Sequence, residues 1–187
     1  MQAMLYWCPR LCSAILVDRL GMNIQFARKY LFTCGLLLLP VFVWNILFWR
    51  YLPPAFEAGE FWRDIPSTLA MAEHSLRLLI FTLPFFMPLG ISGARQRTGL
   101  GILIAGNLLY FASWLALIIA PNSLWSQSAI GFLAPAYTPI LWLLGLAMLS
   151  GQLFWGTFYR WWIYLVFSGL FIAVHVTHAA VVYIRNY

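Results

Sequence analysis

The sequence predicts an all-α integral membrane protein, a bundle of about five transmembrane helices with its N-terminus cytoplasmic and its C-terminus outside. Three observations carry this. Of the 187 residues, 63% are hydrophobic and 9% charged, with a mean hydropathy of +0.83, far from a soluble globular composition. Uncharged runs such as 31–49 and 100–120 approach the roughly 20 residues needed to cross a hydrocarbon core of about 30 Å. The basic residues are also unevenly distributed along the chain, as cytoplasmic retention of Lys and Arg requires.

Hydrophobic stretches bounded by charges and turn residues place helices at about 30–51, 66–90, 99–120, 135–156 and 161–184, so that residues 30–187 form one transmembrane domain. Before it, residues 1–29 form a cytoplasmic N-terminal segment. Within that segment Leu11, Cys12, Ile15, Leu16 and Leu20 share one helical face after Pro9, which reads as an interfacial amphipathic helix; an unstructured extension is the alternative. Arg10, Asp18 and Arg19 interrupt the apolar core that a removable signal peptide needs.

The connection between the first two helices, 52–65, holds Glu57, Glu60 and Asp64, three of the five acids. With five spans, Arg10, Arg19, Arg28, Lys29, Arg95, Arg97 and Arg160 fall on one side and Arg50, Arg63 and Arg185 on the other. Seven against three puts the N-terminus inside. The uncharged 121–134 connection then faces outward, either as a re-entrant lid or as a plain interfacial loop. Many tryptophans, including Trp44, Trp49, Trp62, Trp125 and Trp162, fall near predicted helix ends as an interfacial belt.

Composition also excludes several functions. The net charge of +6 comes from dispersed residues, so no basic block points to nucleic acid. No phosphate-cradling glycine loop, Gly-x-Ser-x-Gly, His-Glu-x-x-His or Cys-x-x-Cys occurs. Three cysteines, Cys8, Cys12 and Cys34, suggest no structural disulfide.

Chemistry is expected where polar residues persist at membrane depth, since an ionisable side chain there costs several kcal/mol unless it finds a partner, water or a cavity. The second helix carries Glu73, His74 and Arg77 within one arc, with Glu73 and Arg77 at the i, i+4 spacing of an intrahelical pair. Pro84 and Pro88 should kink this helix and free carbonyls that need other donors. The fifth helix offers His175 and His178 on one face, with Ser168 and Tyr164. The third offers Asn107, Tyr110 and Trp114. Counted inward at about 1.5 Å per residue, these groups lie at similar depths in the outward half of the bilayer.

The expected site is therefore an outward-facing polar pocket between helices two, three and five, made of Glu73, His74, Arg77, Asn107, Tyr110, Trp114, His175 and His178. It would bind a small amphiphile, quinone or lipid-like ligand, with Arg77 receiving an anionic group. One alternative is a haem- or metal-binding redox protein with ligands from His74, His175 and His178, although Arg77 would place a positive charge near a cation. Another is a lipid-modifying enzyme with a His/Glu base and Ser75, Ser113 or Ser168 as nucleophile. A transporter or accessory membrane subunit is a third, and structural Glu73–Arg77 pairing with packing histidines is the plain account.

Expected partners are membrane lipids, with a homo-oligomer or a subunit role in a membrane complex also compatible. The expected location is a plasma membrane, namely a bacterial inner membrane. Reporters fused in the 93–98 connection and at Tyr187 should report opposite sides of the membrane; a shared side overturns the five-span count.

Overall fold

A computed structural model describes residues 32–154, 156 and 159–187. The segment expected to hold the amphipathic helix, with Cys8 and Cys12, lies outside the described residues. Those described are helical, and β pairing among them is confined to one isolated bridge. Four helices are long and apolar enough to cross a membrane: α1 (Cys34–Tyr51), α2 (Ser67–Phe86), α3 (Ala94–Ile119) and, last in the chain, α5 (Trp161–Asn186). Between the last two lies α4 (Ala134–Leu149), apolar but shorter. At about 1.5 Å per residue its length falls below a hydrocarbon core of about 30 Å.

Helix ends follow local chemistry. In α1 the first turn, Cys34–Leu38, is a tight 3-10 turn, because Pro40 has no N–H for the Leu36 carbonyl. Its two flanks are tied to the far end of α2 by an antiparallel bridge between Thr33 and Pro88, in which Cys34 N–H donates to Met87 O (2.9 Å) and Leu89 N–H to Phe32 O (3.0 Å).

Helix α2 ends four residues before its expected boundary, tightening into a 3-10 turn over Leu83–Phe86. Pro84 deprives the Ile80 carbonyl of its intrahelical donor, and the hydroxyl of fully buried Tyr164 on α5 donates to that oxygen instead (2.9 Å). Tyr164, grouped by spacing with the histidines, thus repairs a proline break.

Helix α3 starts five residues earlier than expected, taking Arg95 and Arg97 into its first turn. The Gln96 carboxamide oxygen accepts from Gly93 N–H (2.8 Å), and its amide donates to Leu149 O at the end of α4 (3.3 Å). Helix α4, expected to run to 156, ends at Leu149, where Ser150 turns the chain and donates to Gln152 O (3.0 Å).

The most extensive packing joins α3 to α4. Gly99 and Gly106 on α3 meet α4 so closely that a Cβ on Gly106 would lie 2.5 Å from Trp142 N, and one on Gly99 would lie 2.7 Å from Met148 Cβ. Small residues let helix backbones approach in lipid, where dispersion replaces the hydrophobic effect as the force between helices. Helix α5 packs along both α2 and α4. The expectation that helices two, three and five are mutual neighbours needs correction, because α4 stands between α3 and α5. Helix α1 meets α2 through its first turn and the Phe42–Phe81 contact (ring centroids 5.3 Å apart), and meets α3 through Trp44 stacked on Phe111 (4.4 Å).

The 121–134 segment forms single helical turns, Leu124–Gln127 and Ala129–Phe132, capped by the hydroxyls of Ser123 and Ser128. It is fixed to α3 and α5 by Ser126 donating to Ala116 O (3.3 Å) and Tyr183 donating to Gln127 O (3.1 Å).

Gly106→Leu should disrupt the α3–α4 contact and lower stability by roughly 1–3 kcal/mol or more. Gly101→Leu, where a Cβ meets nothing within 4 Å among the described residues, should be tolerated. Thermal unfolding of both variants in detergent checks the difference.

Candidate functional site

The centre of the polar cluster is the Glu73 carboxylate, which is fully buried on α2. Its Oε1 accepts from the Arg77 guanidinium, one helical turn along, and from His175 Nδ1 on α5 (2.9 Å). Its Oε2 is bonded to Nδ1 of His178, also fully buried (2.5 Å). The other ring nitrogen of His178, Nε2, lies 2.9 Å from the Phe61 carbonyl oxygen in the 52–65 connection. One carboxylate therefore joins α2, α5 and the chain that leads from α1 into α2.

That connection forms a roof. The Phe61 ring packs on the His178 ring (4.2 Å). Trp62 stacks on His74 at 4.5 Å with an interplanar angle of 20°, presents an edge contact to His178 (4.4 Å), and lies 5.8 Å from the Arg77 guanidinium carbon. Arg185 near the end of α5 donates to the carbonyls of Glu60 and Arg63 and sits 3.5 Å from the Glu60 carboxylate, which also pairs with Arg63 (2.8 Å). The roof also contains Asp64 in a left-handed backbone conformation (φ 54°), which Asp tolerates better than most residues.

Beneath the roof lies a half-open cavity of about 690 Å³ walled by all five helices. His74, Arg77 and His175 line its polar end; Tyr110, Trp114 and Trp142 contribute aromatic wall, and Pro135 and Pro139 place the first turns of α4 against it. Of the eight residues singled out from the sequence, five line this cavity: His74, Arg77, Tyr110, Trp114 and His175. Glu73 and His178 stand behind that wall as its support. Asn107, nearly buried on α3, lies away from the cavity, and its side-chain oxygen has no hydrogen-bond partner among the described residues.

Two contributors were not singled out. Asn45, a lone amide in the 31–49 apolar run, accepts from the Tyr110 hydroxyl (2.8 Å) and lines the cavity; its isolation was the signal. Trp62 was grouped with the belt because it sits near a helix end, and its stacking on His74 depends on a loop path that residue type cannot reveal. Trp44 also departs from the belt reading, lying against Phe111 and lining the cavity. The indole N–H groups of Trp44 and Trp142 are covered from water and have no acceptor among the described residues.

The alternative chemistries find little support in this geometry. Among the described residues no group of three or more His, Cys, Asp or Glu side chains is disposed to hold a metal ion. The set His74, His175 and His178 does not converge as ligands, because His178 uses both ring nitrogens in hydrogen bonds. Ser75, Ser113 and Ser168 do not line the cavity, and the last two donate to backbone carbonyls of their own helices. Cys34 is a buried free thiol.

No protein-family model matches the chain, and comparison with curated proteins and with solved structures found no match. Functional inference therefore rests on the site.

Glu73→Ala should leave fully buried His178 without its partner and should free the half-buried Arg77, a loss of roughly 3–5 kcal/mol at most. His74→Ala removes a ring stacked at the surface of the cluster and should cost less. Unfolding midpoints of the two variants give the order.

Proposed function

We propose that this is a plasma-membrane protein, in a bacterial inner membrane, whose central cavity binds a small amphiphilic or lipid-like ligand taken from the bilayer. The carrying observation is the cavity's form. Its walls are largely apolar and aromatic, with a few polar groups gathered at one end, the usual make-up of a small-molecule site, and its volume lies within the range of about 300–1,000 Å³ typical of such sites.

The rim supports access from lipid. Asn45 and Trp49 on α1 and Leu78 on α2 line the cavity and are also exposed, and they lie along the two spans. Above the Phe42–Phe81 contact, then, the gap between α1 and α2 opens sideways. An apolar tail can pass there without crossing water. With the N-terminus inside, as the Lys/Arg distribution indicates, the polar end of the cavity lies toward the outer face, beneath the roof of residues 52–65.

Mass spectrometry of protein purified in a mild detergent tests this reading. The expected result is one small amphiphile retained near stoichiometry by the natural protein. It should be depleted at least several-fold by Ala136→Phe, which fills the cavity, and retained by Leu170→Phe on an exposed face. Equal retention in both variants overturns the cavity as the site. A Soret band lost in His175→Ala would replace the reading with haem binding.

A further inference from the structure

We infer that the ligand of this cavity carries a single anionic head group seated on Arg77, an inference that rests on the amphiphile reading and narrows it. The argument begins with counting protons. A peptide carbonyl only accepts hydrogen bonds, so the 2.9 Å contact between His178 Nε2 and Phe61 O requires a proton on Nε2. The contact between His178 Nδ1 and Glu73 Oε2 requires a second proton. That proton can sit on the ring, giving imidazolium and carboxylate, or on the carboxyl, giving neutral imidazole and neutral acid. The charge of the pair is zero in both cases.

Glu73 is therefore already balanced by His178 and does not also neutralise Arg77. His175 engages Glu73 through Nδ1 and adds no negative charge. Among the described residues, the only salt bridge of Arg77 is to Glu73. The acids nearest in sequence are committed elsewhere or face water: Glu60 pairs with Arg63 and Arg185, Asp64 is 82% exposed, and Glu57 is exposed. The cluster thus holds at least one net positive charge, which includes that of a guanidinium lining the cavity.

Geometry also leaves that guanidinium with donors to offer. Of its five N–H bonds, one is directed to Glu73, and no other protein acceptor for it occurs among the described residues. An unbalanced cation between membrane helices is costly, and a carboxylate or phosphate accepts from an Arg fork through short, charge-assisted hydrogen bonds. The aromatic wall beyond, with Tyr110, Trp114 and Phe171, leaves an apolar space for a tail. A monoanionic head with one apolar chain satisfies both ends.

A head-group series tests the inference on the full chain, purified in a neutral maltoside detergent at pH 8. Dodecanoate, dodecanol and dodecylammonium are added below their micellar range, with acetate as the chainless anion, and the unfolding temperature is followed against concentration. Dodecanoate should half-saturate its stabilisation at a concentration at least about tenfold lower than dodecanol. Arg77→Gln should abolish that preference, and Arg77→Lys, which keeps the charge and loses the fork, should keep part of it. Should Arg77→Gln fail to fold, the series on the natural protein with Arg77→Lys still decides.

Dodecanol equal to dodecanoate overturns the anionic head and leaves the amphiphile reading standing. Dodecylammonium binding more tightly than dodecanoate overturns the charge accounting. No response to any of the three chains overturns the amphiphile reading itself. Acetate acting at the same concentrations as dodecanoate supports the anion seat and identifies its source as a water-borne anion, without a tail.

Discussion

One buried carboxylate organises this molecule. Glu73 has no exposed surface, yet both of its oxygens are fully engaged, and its partners come from its own helix and from α5. Removing an ionised group from water is tolerable only when its hydrogen-bonding capacity is met by well-placed donors. The position of α5 relative to α2 is therefore constrained to within hydrogen-bond tolerance at this level. His178 extends the constraint to the backbone of the roof through Phe61, and the roof in turn presents Trp62 to His74 and Arg77. Without the carboxylate, the cavity would lose the support of its polar wall.

A second, unrelated device holds the opposite wall. Helices α3 and α4 are joined through glycine contacts that admit no added methyl group at Gly106, and α4 is thereby held between α3 and α5. The cavity is the space left between this close pair, the polar α2–α5 pair and the more lightly attached α1. Its polar end and its apolar end follow from the different ways in which the two pairs are fastened. Dispersion between small residues leaves no polar groups to satisfy, whereas the carboxylate network leaves the Arg77 cation and the His175 ring on the cavity side.

Much of this was legible because charge is scarce in an apolar sequence. Glu73, Arg77, His175 and His178 stood out by type, and helical spacing put each pair on one face. The all-helical, membrane-spanning character was legible from hydropathy, but of the five expected spans four are long enough to cross a membrane and α4 is too short. Its early end depends on Ser150, an unremarkable polar residue whose effect is a local turn. The early start of α3 was hidden for the opposite reason: Arg95 and Arg97 read as loop residues, yet a first helical turn outside the hydrocarbon tolerates charge. The adjacency of α4 to both α3 and α5 was not legible, since periodicity shows which face is apolar and says nothing of which neighbour covers it. The donor for the Ile80 carbonyl could be expected to exist from Pro84 alone; that it is Tyr164 required three dimensions.

The antiparallel bridge at the base of α1 has a consequence for where a membrane helix can begin. The first N–H groups of any helix lack partners within it, and a start near lipid needs water, a capping side chain or another backbone to solvate them. Here Thr33 offers no side-chain cap, and the departing end of α2 supplies the Met87 carbonyl to Cys34 while Phe32 returns its own carbonyl to Leu89. The entrance of one helix and the exit of another act as each other's solvent. Part of the hydrogen-bonding need at each end is thereby met by backbone and not by the headgroup region, so this corner of the bundle calls for less hydration than two separate helix ends would.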